Sequence, residues 1–199
     1  MSSTIPDFDT TNLAESRLPH VLIGVILPFA ISSICLLGRF YSRAVLLKFW
    51  GIDDTLLLMS WLSGGVVLGA LNVVLAQSGT GKPTKLRTPA QDSDAMRLGF
   101  VCKELYTFTL MTVKLAICAF YARIFQDKGG RLFIYSMSGF VVLSTIPIMV
   151  AHGLRCDPPA GAWSLMPAKC HSESPIIISS AVFNILSDIA LLAFILPRI

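Results

Sequence analysis

PIIISSAVFNILSDIALLAFILP, from Pro175 to Pro197, holds a single ionisable side chain, Asp188, in a run long enough to cross a ~30 Å hydrocarbon core at ~20 residues per crossing. Its apolar and polar positions do not alternate, so it reads as a helix and not as a barrel strand. Working backwards along the chain, four more stretches have the same character: Pro19 to Gly38, Thr55 to Ser78, Leu98 to Ala122 and Leu132 to His152. The reading is an all-α, polytopic transmembrane helix bundle of five membrane-spanning helices, about 19–38, 55–78, 98–122, 132–152 and 175–197.

Composition agrees. The chain is 54% hydrophobic and 14% charged with a mean hydropathy of +0.69, whereas a soluble globular chain is about 25% charged. The net charge of +4 has no dense basic run behind it, which fits contact with lipid headgroups and not nucleic acid.

Residues 1–18 read as a polar extracellular tail ahead of a membrane domain over 19–199. They carry Asp7, Asp9 and Glu15 against Arg17 and lack the basic start and short apolar core of a cleaved signal peptide. Arg39, Arg43 and Lys48 follow the first span, so the positive-inside rule places the N-terminus outside and, after five crossings, the C-terminus in the cytosol. Lys and Arg counted over all loops balance, and the orientation rests on the first span and on the cysteines. The fourth connection, outside in this topology, holds Cys156 and Cys170 where disulfides persist, with Cys102 near the outer start of span three competing as a partner for either. Cys35 and Cys118 read as small apolar residues. The outer connections, Gly79 to Arg97 and Gly153 to Ser174, are rich in Pro and Gly, and neither reads as a regular element throughout.

The most specific connection joins spans one and two. Gly38-Arg39-Phe40-Tyr41-Ser42-Arg43 is followed by Trp50-Gly51-Ile52-Asp53-Asp54 running into Thr55. An Asp there caps the helix and meets the positive end of its dipole, and Gly51 supplies a tight turn before it. Arg39 and Arg43 share a helical face and reach towards Asp53 or Asp54. Gly64, Gly65, Gly69 and Ala70 allow close packing in span two, and Pro28 and Pro147 read as kinks in spans one and four.

Together with three further motifs, this segment resembles the fungal rhodopsin-domain family of seven-helix membrane proteins. Lys114-Leu-Ala-Ile-Cys-Ala-Phe120-Tyr121-Ala-Arg123-Ile-Phe125 is similar to the family's Lys-x-x-Ile-x-x-Phe-Tyr-x-Arg-Ile-Phe run. Cys156-Asp157-Pro158, Trp163 and Cys170 follow its outer loop, and Asn184, Asp188 and Pro197 its fifth span. The resemblance implies a receptor-like architecture of which the first five helices stand here, a truncated seven-helix pattern. It implies no retinal and no other cofactor.

Ionisable groups in lipid cost about 2.5 to 3.5 kcal/mol on insertion scales and are functional candidates. At 1.5 Å per residue Lys114 lies roughly 24 Å, and Asp188 roughly 20 Å, from the outer starts of their spans. The depth match predicts a Lys114 to Asp188 ion pair or water-bridged contact, with Asn184 one turn outward on the Asp188 face. Asn72, Lys103 and Glu104 share a shallower depth and would line an outer polar mouth; the plainer alternative has Lys103 snorkelling to the interface with Glu104 neutralising it.

His20, His152 and His171 all fall near the outer face, but no tight ligand spacing joins them, and no metal site is expected. The chain has no His-Glu-x-x-His, no Gly-x-Ser-x-Gly and no phosphate-cradling loop; Gly79-Thr80-Gly81-Lys82 lacks the preceding Gly. No enzymatic activity is expected. The expected function is a plasma-membrane sensor that takes an unidentified ligand at the outer mouth and reports to a cytosolic signalling protein through Arg39 to Asp54 and Arg123 to Arg131. The alternatives are a non-signalling accessory protein packing with other membrane helices, a truncated product, and, supported only by Lys114, Asn184 and Asp188, an intramembrane enzyme or transporter.

Overall fold

The computed structural model describes residues 18–46, 48, 50–75, 89–125, 127–162 and 168–198. Residues 1–17 of the polar tail, 76–78 at the end of the expected second span, Gly79 to Lys82 and Trp163 lie outside the described residues.

Among the described residues five helical segments are long and apolar enough to cross a membrane: Ile23–Leu46, Ile52–Leu75, Asp92–Ile124, Lys128–Gly153 and Ser174–Ile195. Most of their apolar side chains face outwards, among them Ile26, Ile34, Leu143, Ile185 and Ile189. An apolar surface of this extent matches hydrocarbon, and helices suit that solvent because they pair most of their backbone polar groups internally.

The first span is α1 (Leu18–Tyr41), extended by one π-helical turn, Ser42–Leu46. The second is α2 (Ile52–Ser60), a π-helical segment at Trp61–Val67 and α3 (Leu68–Leu75). Gly64 lies in that π segment, where an added Cβ would come within 2.5 Å of the Thr109 side chain, so its small size sets how closely spans two and three approach. Ser63 and Thr109 also share a hydrogen bond at 3.1 Å, and Trp61 Nε1 donates to Ser33 Oγ at 3.1 Å.

The third span, α4 (Pro89–Ile124), is the central element, packed against the second span and against α5 (Lys128–Gly153), which in turn carries α6 (Ser174–Ile195). At 36 residues it is about 54 Å long, well beyond the hydrocarbon core. The expected irregular connection therefore gives way to helix from Pro89 to Arg97. Its polar residues Asp92, Asp94 and Arg97 do not break a helix that has left the lipid.

Asp127 caps α5 by accepting the Gly130 N–H at 2.6 Å. Pro28 and Pro147 both lie inside continuous helices. Between α5 and α6 the chain forms a disulfide from Cys156 to Cys170, with two-residue strands β1 (Cys156–Asp157) and β2 (Lys169–Cys170) paired antiparallel around it. Of the competing thiols, Cys102 stays free. At the opposite end Cys118, Phe125, Ile134, Met137, Leu191 and Ile195 form the buried core, closed by the stacked rings of Phe133 and Phe194, 3.8 Å apart.

Candidate functional site

The densest set of charges lies at the end of the bundle remote from the disulfide, where α1 ends and α2 begins. Asp54, at the third helical position of α2, accepts the Gly51 N–H at 3.2 Å, while Gly51 O accepts the Asp54 and Thr55 N–H groups at 3.2 and 3.3 Å. The cap itself is therefore Gly51, and not an aspartate as the sequence suggested. Gly51 is also extended, with φ −117°, so no special turn requires it. What requires glycine is space: a Cβ would overlap Asp53 Oδ1 and lie 2.9 Å from Arg123 Nη1. The left-handed residue of this connection is Lys48, φ 50°.

Asp53 and Asp54 are 3% and 0% exposed, and two buried carboxylates persist only with compensating cations. Arg39 donates from Nη2 to Asp53 Oδ2 at 2.8 Å and from Nε to Asp54 Oδ1 at 3.1 Å. Arg43 Nη2 stands 3.8 Å from Asp53 Oδ2. Arg123, from the end of α4, donates to Asp53 Oδ1 at 3.4 Å, a partner that the sequence reading did not assign to the aspartates. The guanidinium carbons of Arg39 and Arg43 sit 5.1 and 5.9 Å from the centre of the Phe120 ring, within cation–π range. Three spans thus converge on one node of two carboxylates and three guanidinium groups.

Next to it lies a cavity of about 460 Å³, lined by Arg39, Asp53, Phe120, Tyr121 and Asp188 among apolar side chains of α4 and α6. Deeper in the bundle, Lys114 Nζ lies 2.9 Å from Asp188 Oδ1 and donates to Ser187 Oγ at 2.5 Å and to the Asn184 backbone carbonyl at 2.9 Å. Lys114 is buried, whereas the Asp188 side chain is 57% exposed on the open flank of α6. Asn184 thus meets Lys114 through its main chain, and Ser187 is a ligand that no depth arithmetic singled out.

At the disulfide end the expected mouth does not assemble as drawn. Among the described residues Asn72 and Glu104 are not joined; the Asn72 amide donates to the Leu68 carbonyl in its own helix at 2.8 Å. Lys103 turns to Glu173, in the turn before α6, which also takes Arg155 Nη1 at 2.5 Å and lies 4.0 Å from His152 Nδ1. Glu173 was absent from the sequence-based candidates.

The match to known proteins follows this arrangement. Residues 38–199, which begin one position before Arg39 and include every charged group just described, match the family model for the fungal rhodopsin domain. The chain belongs to the fungal rhodopsin-domain family. Within that family it is 28% identical, over 97% of its length, to fugralins biosynthesis cluster protein 2 of Gibberella zeae. It is 24% identical, over 89% of its length, to polyenoic acids biosynthesis gene cluster protein Ba17b of Metarhizium anisopliae. In both cases it spans half the length of the relative. No solved structure matches this fungal rhodopsin-domain chain.

Proposed function

We propose that the chain is a receptor-like part of a membrane sensor, oriented with the disulfide end outside the plasma membrane and the Arg39 end facing the cytosol. The observation that carries this reading is the node at Asp53 and Asp54, where guanidinium groups from spans one and three close on buried carboxylates of span two. In this reading the node has two arrangements, joined and open, and a ligand that favours one of them shifts the bundle. The adjoining cavity leaves room for the helix ends to move or for a cytosolic protein to insert an apolar side chain. No enzymatic role and no cofactor is part of the proposal.

Both relatives carry the names of biosynthesis clusters, so metabolite output is the signal to read. In the cell that natively makes the full-length protein, gene deletion changes the secreted metabolite profile by mass spectrometry. Asp53→Asn, at matched membrane abundance, changes it in the same direction. An unchanged profile on deletion removes the sensor reading; a deletion effect that Asp53→Asn does not reproduce favours the accessory-protein alternative. Orientation is tested by an impermeant thiol reagent on intact cells, which labels His171→Cys and spares Val45→Cys.

A further inference from the structure

A second cavity, of about 300 Å³, opens at the disulfide end and takes no part in the node at Asp53. Met96, Gly99, Phe100 and Ala162 form its apolar wall, and Lys103, His152, Arg155 and Glu173 its polar one. Within this wall two basic side chains, Lys103 and Arg155, face one carboxylate, Glu173. Glu104 follows Lys103 but lies about 100° further round the helix and is not part of the lining.

Arg155 spends Nη1 on Glu173. Its Nε, on the edge of the guanidinium that takes a carboxylate side-on, is buried and has no hydrogen-bond partner among the described residues. The cavity that Lys103 and Arg155 line is at the lower end of the size range of small-molecule sites.

We infer that this cavity binds a small organic monocarboxylate, its anionic group between Lys103 and the Arg155 guanidinium and its apolar body against Met96, Phe100 and Ala162. The two cationic side chains suit a carboxylate group, and the apolar wall selects an organic acid over a fully hydrated inorganic one. Glu173 competes for the same two cations, so an incoming carboxylate loosens the link from the start of α6 to Lys103 of α4 and Arg155. The assignment rests on the sensor reading for its purpose but not for its chemistry.

The test uses the full-length protein in phosphatidylcholine nanodiscs, with 4-fluorobenzoate as the probe and fluorine NMR as the readout. Saturable binding is expected above that to empty nanodiscs, with 4-fluorobenzamide and inorganic phosphate failing to compete. Arg155→Gln weakens binding by roughly ten- to a hundredfold, and Arg155→Lys restores part of it. Because Arg155→Gln also disturbs Glu173, a second variant fills the cavity without touching a charge: Gly99→Leu, since an added Cβ there meets nothing within 4 Å. It keeps the protein folded and abolishes binding. Absence of saturable binding, equal binding of the amide, displacement by phosphate, or indifference to Gly99→Leu overturns the assignment. Binding that behaves as expected while metabolite output ignores Gly99→Leu leaves the site standing and sinks the sensor reading; the reverse pattern sinks the site alone.

Discussion

Arg39 bridges Asp53 and Asp54 with two different nitrogens, and Asp54 has no other cation among the described residues. Asp53, by contrast, is also approached by Arg43 and Arg123. Arg39 therefore ties span one to span two, and its loss strands a fully buried carboxylate.

Arg39→Met is expected to lower stability by about 2 to 3 kcal/mol, a figure set below the usual cost of breaking a buried pair because the Arg39 side chain is itself 31% exposed. Arg43→Met, at 3.8 Å from Asp53, costs under about 1 kcal/mol. Arg39→Lys falls between, since an ammonium lacks the fork that reaches two carboxylates. Reversible unfolding in bicelles measures all three; equal losses for Arg39→Met and Arg43→Met would remove Arg39 from its special place.

Gly51→Ala should destabilise by about 1 to 3 kcal/mol through overlap with Asp53 and Arg123. Gly139→Ala, within α5 where an added Cβ meets nothing, should instead stabilise by roughly 0.5 to 1 kcal/mol. Thermal melting of the two variants side by side separates steric crowding from helix propensity.

For the buried ammonium the informative experiment is a double-mutant cycle. Asp188→Leu leaves Lys114, among the described residues, with neutral acceptors, Ser187 and Asn184 O, and lowers folded yield. Adding Lys114→Leu recovers yield, with a coupling of about 1 to 3 kcal/mol. Additive losses would show that the two side chains act independently.

Non-reducing peptide mapping should recover Cys156 joined to Cys170, with Cys102 open to alkylation. Replacing both bridged cysteines by Ser costs up to about 3 kcal/mol, the entropy of a loop closed over 14 residues. A Cys102 cross-link in the mapped peptides would contradict the arrangement.

The spans were legible in the sequence because lipid imposes one demand, satisfied backbone and apolar side chains, on every residue of a crossing. The Lys114 and Asp188 depth match was legible for a related reason, since two charges at one level in hydrocarbon have few other partners. Arg123 and Glu173 were not assigned their partners. Arg123 reads in the sequence as a member of the family run that ends span three and as the start of an inner loop, and Glu173 precedes a helix start like many others; what brings them to Asp53 and to Lys103 is packing between segments far apart in sequence. Gly51 was given the wrong reason because a sequence shows that a position is glycine without showing whether a dihedral or a neighbour requires it. The helical stretch from Pro89 to Arg97 was missed because polarity marks where lipid ends, and helices do not have to end with it.

The node at Asp53 and Asp54 holds three span ends together. Spin labels at Val45→Cys and Ile124→Cys, in a Cys35→Ala, Cys102→Ala background reconstituted in nanodiscs, report the distance between the ends of spans one and three by pulsed electron resonance. The wild-type node predicts one narrow distance distribution that becomes broad or shifts in Asp53→Asn. Superimposable distributions in the two proteins would contradict it.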